Sequence, residues 1–152
     1  MVALLSKIAA ELADRPAPAS AAECLELTET LAAAIDLQEA ALAGLVCVVD
    51  AGREAQRWGY ASTQAWLRHR LGMRDARAKE RLTLARQRHR LGQVVQRWST
   101  GDLSFGYAAT IADAVARLDD PDCAAAERIL LDMVDQDFSA AKLAVSGRRI
   151  RD

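Results

Sequence analysis

The chain has 152 residues, 51% of them apolar and 27% charged, with a net charge of −1. That length supports one domain with a real core, and the balance excludes disorder throughout. Alanine is about a fifth of the chain, Pro and Gly are scarce, and segments rich in Val, Ile, Thr, Tyr or Phe are few, so the expected class is all-α.

The small net charge hides a partition. Residues 1–50 carry two basic against eight acidic side chains, residues 51–100 twelve against three, and residues 101–152 six against ten. A basic centre between acidic flanks is the electrostatic footprint of a nucleic-acid face on a body that phosphate otherwise repels. The plainer explanation is charge scattered over solvated helices. Cys24, Cys47 and Cys123 are odd in number and form no C-x-x-C, so they read as small apolar residues of a reducing compartment. The first sixteen residues lack a secretory pattern, and no unbroken run of 18 apolar residues exists. The expectation is a cytoplasmic protein without a membrane span.

In chain order, Leu4, Leu5, Ile8 and Leu12 mark one face of a helix over 2–13. Pro16 and Pro18 make a linker, and Ser20 with Glu23 forms a capping box. From Ala21 to Arg57 the positions Cys24, Leu27, Leu31, Ala34, Gln38, Ala41, Leu45 and Val48 keep a 3-4 spacing, and Leu42, Val46 and Val49 widen that stripe. This predicts one very long helix, or two bent near Ile35-Asp36, closed by Trp58-Gly59-Tyr60. Such a seam needs a partner: the helix over 2–13, or a second copy of the chain along 21–57. Ser62 or Thr63 starts a short helix that Gly72 breaks, and a basic helix follows from Asp75 to Leu91. Gly92 breaks again before a short helix with Val94, Val95 and Trp98. Ser104 caps a helix to Leu118, Asp120-Pro121 starts one to Gln136, and Ser139 caps a last one over Ala140–Ser146, ended by Gly147. The expected domains are a helix and linker over 1–20, a helical domain over 21–147, and a polar tail over 148–152. Trp66 and Trp98 lie on apolar faces and read as core anchors rather than base-stackers.

Two short helices joined by a tight turn at Gly72 predict a helix-turn-helix-like element over 62–91. Leu67 and Leu71 before the turn, with Met73 and Ala78 after it, supply the packing. Arg74, Arg77, Lys79 and Arg81 stand near the front of the second helix, where side chains reach base edges; arginine there suits guanine O6 and N7. Arg68, Arg70, Arg86, Arg88 and Arg90 are placed for phosphates.

The string GYASTQAWLRHRLGMRDARAKERLTLARQ, followed by GDLSFGYAATIADAV, resembles the actinobacterial domain of unknown function 222. The resemblance covers about residues 25–145 and rests on Gly-Tyr-x-Ser-Thr-x-x-Trp-Leu (Gly59–Leu67) and Gly-x-Leu-Ser-x-Gly (Gly101–Gly106), with Gly72, Gly101 and Gly106 as turn glycines. It implies a module that precedes an HNH endonuclease domain. The same segment is more distantly similar to the helix-turn-helix of ParB-type partition proteins, which implies binding to double-stranded DNA. Three positions depart from those patterns: Arg74 where a capping Ser is usual, Tyr107 where a His is usual, and Leu91-Gly92 where Leu-Pro is usual.

No catalytic set accompanies the element. His69 and His89 are flanked by arginines and lack a ligand or base pattern, and no Gly-rich phosphate loop is present. The reading is an all-α DNA-binding module of an HNH-endonuclease-associated protein, not an enzyme by itself, with no metal and no cofactor. The alternative is a dimerisation or protein-interaction module that regulates a fused or partner nuclease.

Overall fold

The structure, a computed structural model, describes residues 1–151. Among these residues there are nine helices and no strand: α1 (Val2–Asp14), α2 (Ala21–Ala51), α3 (Glu54–Arg57), α4 (Thr63–His69), α5 (Asp75–Gln87), α6 (Gly92–Ser99), α7 (Phe105–Val115), α8 (Asp120–Asp135) and α9 (Ala140–Arg151). The all-α class is therefore as the composition indicated. The chain divides into two compact units, one over Met1–Ala32 and one from Ala33 onwards.

In the first unit, α1 forms where its apolar spacing placed it but buries none of its residues. Leu4, Leu5, Ile8 and Leu12 are all exposed, so the hairpin expected from that face does not form. Ser20 caps the start of α2 by accepting from the Glu23 amide at 3.4 Å.

In the second unit, α2 continues unbroken past Ile35-Asp36 and stops at Gly52-Arg53, where Arg53 takes a left-handed conformation (φ +53). Gly59 (φ +86) ends the short α3 rather than the long helix. By length and composition alone α2 could cross a bilayer. Its inward residues are Glu39, Ala43 and Val46, whereas Leu37, Leu45 and Val48 are exposed. Of the 3-4 seam expected to be buried, Leu27, Leu31, Gln38, Ala41, Leu45 and Val48 face outward and Cys24 and Ala34 are half-buried, while Val46 and Leu42 at its widened edge pack inward.

Two cores hold this unit. The larger is built on α7, whose Ala108, Ile111, Ala112 and Val115 meet Leu84, Leu91, Val94, Trp98, Leu130 and Leu143 from the helices around it. The smaller joins Val46 of α2, Leu67 of α4, and Ala78, Leu82 and Ala85 of α5. Each fully buried leucine there contributes about 1.5–3 kcal/mol. α9 lies close against α7 at Gly147, where a Cβ would stand 2.6 Å from the Ala114 Cβ. Gly147 therefore does not end α9; it permits the crossing, and residues 148–151 continue the helix instead of forming a tail.

Carboxylates complete several helix starts. Asp119, not Asp120, caps α8, accepting from the Asp122 amide at 3.0 Å. The buried Glu127 accepts the Val94 amide of α6 at 2.9 Å, and Asp36 of α2 accepts the Phe105 amide of α7 at 2.8 Å. Negative charge at a helix N-terminus satisfies an orphan donor and complements the helix dipole. Gly92 begins α6 and lacks the left-handed conformation expected of it. Gly106 is the second residue of α7 rather than a turn, whereas Gly101 (φ +85) does turn the chain.

Candidate nucleic-acid interface

The turn between α4 and α5 is tight. Ser62 starts α4 by accepting from the Ala65 amide at 3.0 Å. Gly72 takes φ +66, a conformation that costs other residues about 1 kcal/mol or more. The Met73 amide then donates back to the Leu67 carbonyl at 3.2 Å. Leu67 and Ala78 are fully buried between the two helices. Arg74 occupies the cap position of α5 without a side-chain cap bond. The start of α5 is braced instead through Asp75, which accepts from Gln64 of α4 at 3.0 Å and pairs with Arg68 at 3.4 Å.

The four side chains expected at base edges do not share one direction. Arg81 turns inward. Its Nε donates to Glu39 Oε2 at 2.9 Å, its Nη2 to Glu39 Oε1, and its Nη1 meets the Met73 sulfur at 3.2 Å. Its side chain is 12% exposed and that of Glu39 7%, so base contact by Arg81 would require breaking this bidentate pair. Arg77 also reaches Glu39, at 3.2 Å, but its side chain is 56% exposed. Lys79 is exposed on the rim of a cleft of about 500 Å³ between α5, α7 and α9, shared with Glu80 and Arg148. Arg74 is exposed at the turn.

The expected phosphate contacts divide likewise. Arg70 is exposed and makes no ion pair among the described residues. Arg68 is held by Asp75. Arg86 forms a two-bonded pair with Asp50 of α2, at 2.7 and 3.0 Å. Hydrogen bonding from Arg86 holds the Asp50 carboxyl below the usual carboxylate range, against the opposing effect of burial. Arg90 is largely buried, donating to Asp120 at 2.7 Å and to the Leu118 carbonyl at 2.6 Å. Arg88 is half-buried against α2. Arg90 is thus tied into the protein, and Arg88 is recessed beside α2 rather than displayed on the surface.

The acidic flanks therefore neutralise much of the basic centre. Of its twelve cations, Arg57, Arg68, Arg77, Arg81, Arg86, Arg90 and Arg97 are in ion pairs, several with carboxylates of α2 and α8. The charge partition is in large part an internal clamp. Of the residues that make it, Glu39, Asp50 and Asp135 were not singled out by sequence reasoning, and Asp120 was read only as a helix start. The signal was present on α2 as a second 3-4 stripe, Asp36, Glu39, Ala43, Val46 and Asp50, lying opposite the more apolar one.

His69 and His89 are exposed. Trp98 is buried, and Trp66 packs against the smaller core. Burial pushes the Cys123 thiol up, away from a reactive thiolate. No group of three or more His, Cys, Asp and Glu among the described residues is arranged to hold a metal.

The chain belongs to the family described as "Domain of unknown function (DUF222)", whose profile matches residues 19–152. Neither a curated protein nor a solved structure matches it significantly.

Proposed function

We propose that the chain is the DNA-binding part of an actinobacterial HNH-endonuclease-associated protein, without catalysis of its own. It uses the α4–α5 pair in the manner of a ParB-like helix-turn-helix. Arg70, Arg74 and Lys79 carry the reading. They are exposed, have no ion-pair partner among the described residues, and lie at the turn or on the first turns of α5. Arg74, Lys79 and the half-exposed Arg77 serve the base edges, and Arg70 and Arg68 the phosphates. Arg81, Arg88 and Arg90 are left out of the contact set because their guanidinium groups are turned into the protein.

The test is fluorescence anisotropy with a random pool of duplex DNA, followed by selection of bound sequences. Binding should weaken steeply between low and physiological salt. The log–log slope should fall by roughly one for each phosphate-contacting cation removed, Arg70→Ala first. Arg74→Ala with Lys79→Ala should relax sequence preference. Absence of duplex binding at low salt, or indifference to all three substitutions, refutes the proposal.

The outward face of α2 favours a second reading, pairing with another copy of the chain through residues 21–57. Leu45 and Val48 are 67% and 72% exposed, and an apolar 3-4 repeat is self-complementary. A dimer by sedimentation that Leu45→Glu with Val48→Glu dissociates supports it; a monomer at high concentration removes it.

A further inference from the structure

The other half-buried cation points to a different chemistry. A groove of about 310 Å³ runs between α2 and α6, walled by Leu37, Ala40, Ala41 and Val95, with Arg88, Trp98 and Ser99 completing its lining. Arg88 lies beside Gly44, where a Cβ would be 3.9 Å from its Cζ and from Nη2. Of the five cations in the basic centre that make no ion pair among the described residues, Arg53, Arg70, Arg74 and Lys79 are exposed. Arg88 is half-buried, and its Nε is buried without an acceptor. Trp98 is 1% exposed, and its Nε1–H also lacks an acceptor. Buried donors are ordinarily satisfied. Here two residues that line the same groove, Arg88 and Trp98, each carry a buried N–H, at Nε and Nε1, without an acceptor among the described residues.

We infer that this groove binds a carboxylate carried on an apolar stem. The carboxylate supplies the acceptor and a counter-charge, and the stem covers Leu37, Ala41 and Val95. A duplex phosphate fits less well. The donors are recessed and the walls apolar, and Arg88 lies fourteen residues beyond Arg74, roughly 20 Å along the chain's helical rise. The size is at the small end of ligand sites and suits a short organic acid or an acidic side chain of a peptide, which share this chemistry.

The indole N–H resonance of Trp98, assigned with Trp98→Phe, reports the site in the full chain. Sodium hexanoate, hexanamide, inorganic phosphate and a blocked Leu-Glu-Leu peptide are titrated in turn. Hexanoate should move the resonance saturably, hexanamide at least tenfold more weakly, and Arg88→Gln should abolish the difference. Tighter binding of the peptide than of hexanoate identifies a protein as the source; the reverse identifies a free acid. Phosphate acting as well as hexanoate overturns the apolar-stem assignment, and no response to either carboxylate overturns the site. Arg88→Met separates binding from folding. If Arg88 serves binding alone, this variant leaves thermal stability unchanged or raised without ligand, whereas marked destabilisation would assign Arg88 a structural role and overturn the proposal. None of these outcomes depends on whether the α4–α5 pair binds DNA.

Discussion

Glu39→Gln removes the charge that Arg81 and Arg77 share but keeps the shape of the side chain. Arg81 is then left 12% exposed against a neutral amide. Removing one partner of a buried pair costs about 3–5 kcal/mol. Water reaches this pair at its edge, and the amide oxygen keeps one acceptor, so about 2–4 kcal/mol is expected. The Arg77 arm contributes little, because its half-exposed contact belongs to the class worth roughly 0–1 kcal/mol. For a chain of 152 residues, each kcal/mol moves the melting temperature by about 2–4 °C. Thermal and urea unfolding followed by circular dichroism should therefore place Glu39→Gln and Arg81→Gln roughly 5–15 °C below wild type, with Arg77→Ala within a few degrees of it. Glu39→Met with Arg81→Met should recover much of the loss, since it leaves no buried charge unpaired. The reasoning is refuted if Arg77→Ala costs as much as Arg81→Gln, or if Glu39→Gln is neutral. A DNA-binding loss in an Arg81 variant would likewise report unfolding before it reported recognition.

Gly147→Ala should destabilise by about 1–3 kcal/mol through overpacking, and Ala114→Gly should restore it, both read from urea midpoints. Ser62→Ala should cost about 1 kcal/mol by removing the cap of α4. Asp50 binds protons less readily folded than unfolded. Its pair with Arg86 therefore contributes stability that is complete above about pH 4 and is lost as the pH falls through the lower folded value. Asp50→Asn should be less stable than wild type at pH 7, and the gap between them should close on acidification. A gap that stays constant to pH 2 contradicts the assignment.

Local signals carried most of the fold. Ser20, Ser62, Ser104 and Ser139 all cap the helices expected of them, because a cap bond spans three residues and needs no tertiary context. The turn at Gly72 was legible for the same reason. Gly147 and Gly92 were misread because a glycine records only that something there excludes a side chain or demands freedom. At Gly147 the cause is a helix from elsewhere in the chain. The face of α2 was misread because hydrophobic spacing ranks the stripes of a helix by apolarity, while the stripe turned inward carries Asp36, Glu39 and Asp50. Those acids can face inward because arginines more than thirty residues away, and one amide farther still, meet them. The same blindness affected the candidate site. Nothing local distinguishes Arg81, turned inward, from Arg74 and Lys79, turned outward.

The separation in sequence of those bonds bears on the order of assembly. Asp50 meets Arg86 across 36 residues, Glu39 meets Arg77 and Arg81 across 38 and 42, and Asp36 meets Phe105 across 69. The contacts between α4 and α5 close within about a dozen residues, so their loop entropy is met early, while each tie to α2 must wait for a long loop to close. The long helix therefore docks last, onto a pair of helices already turned at Gly72. Substitutions at Glu39 should speed unfolding more than they slow folding.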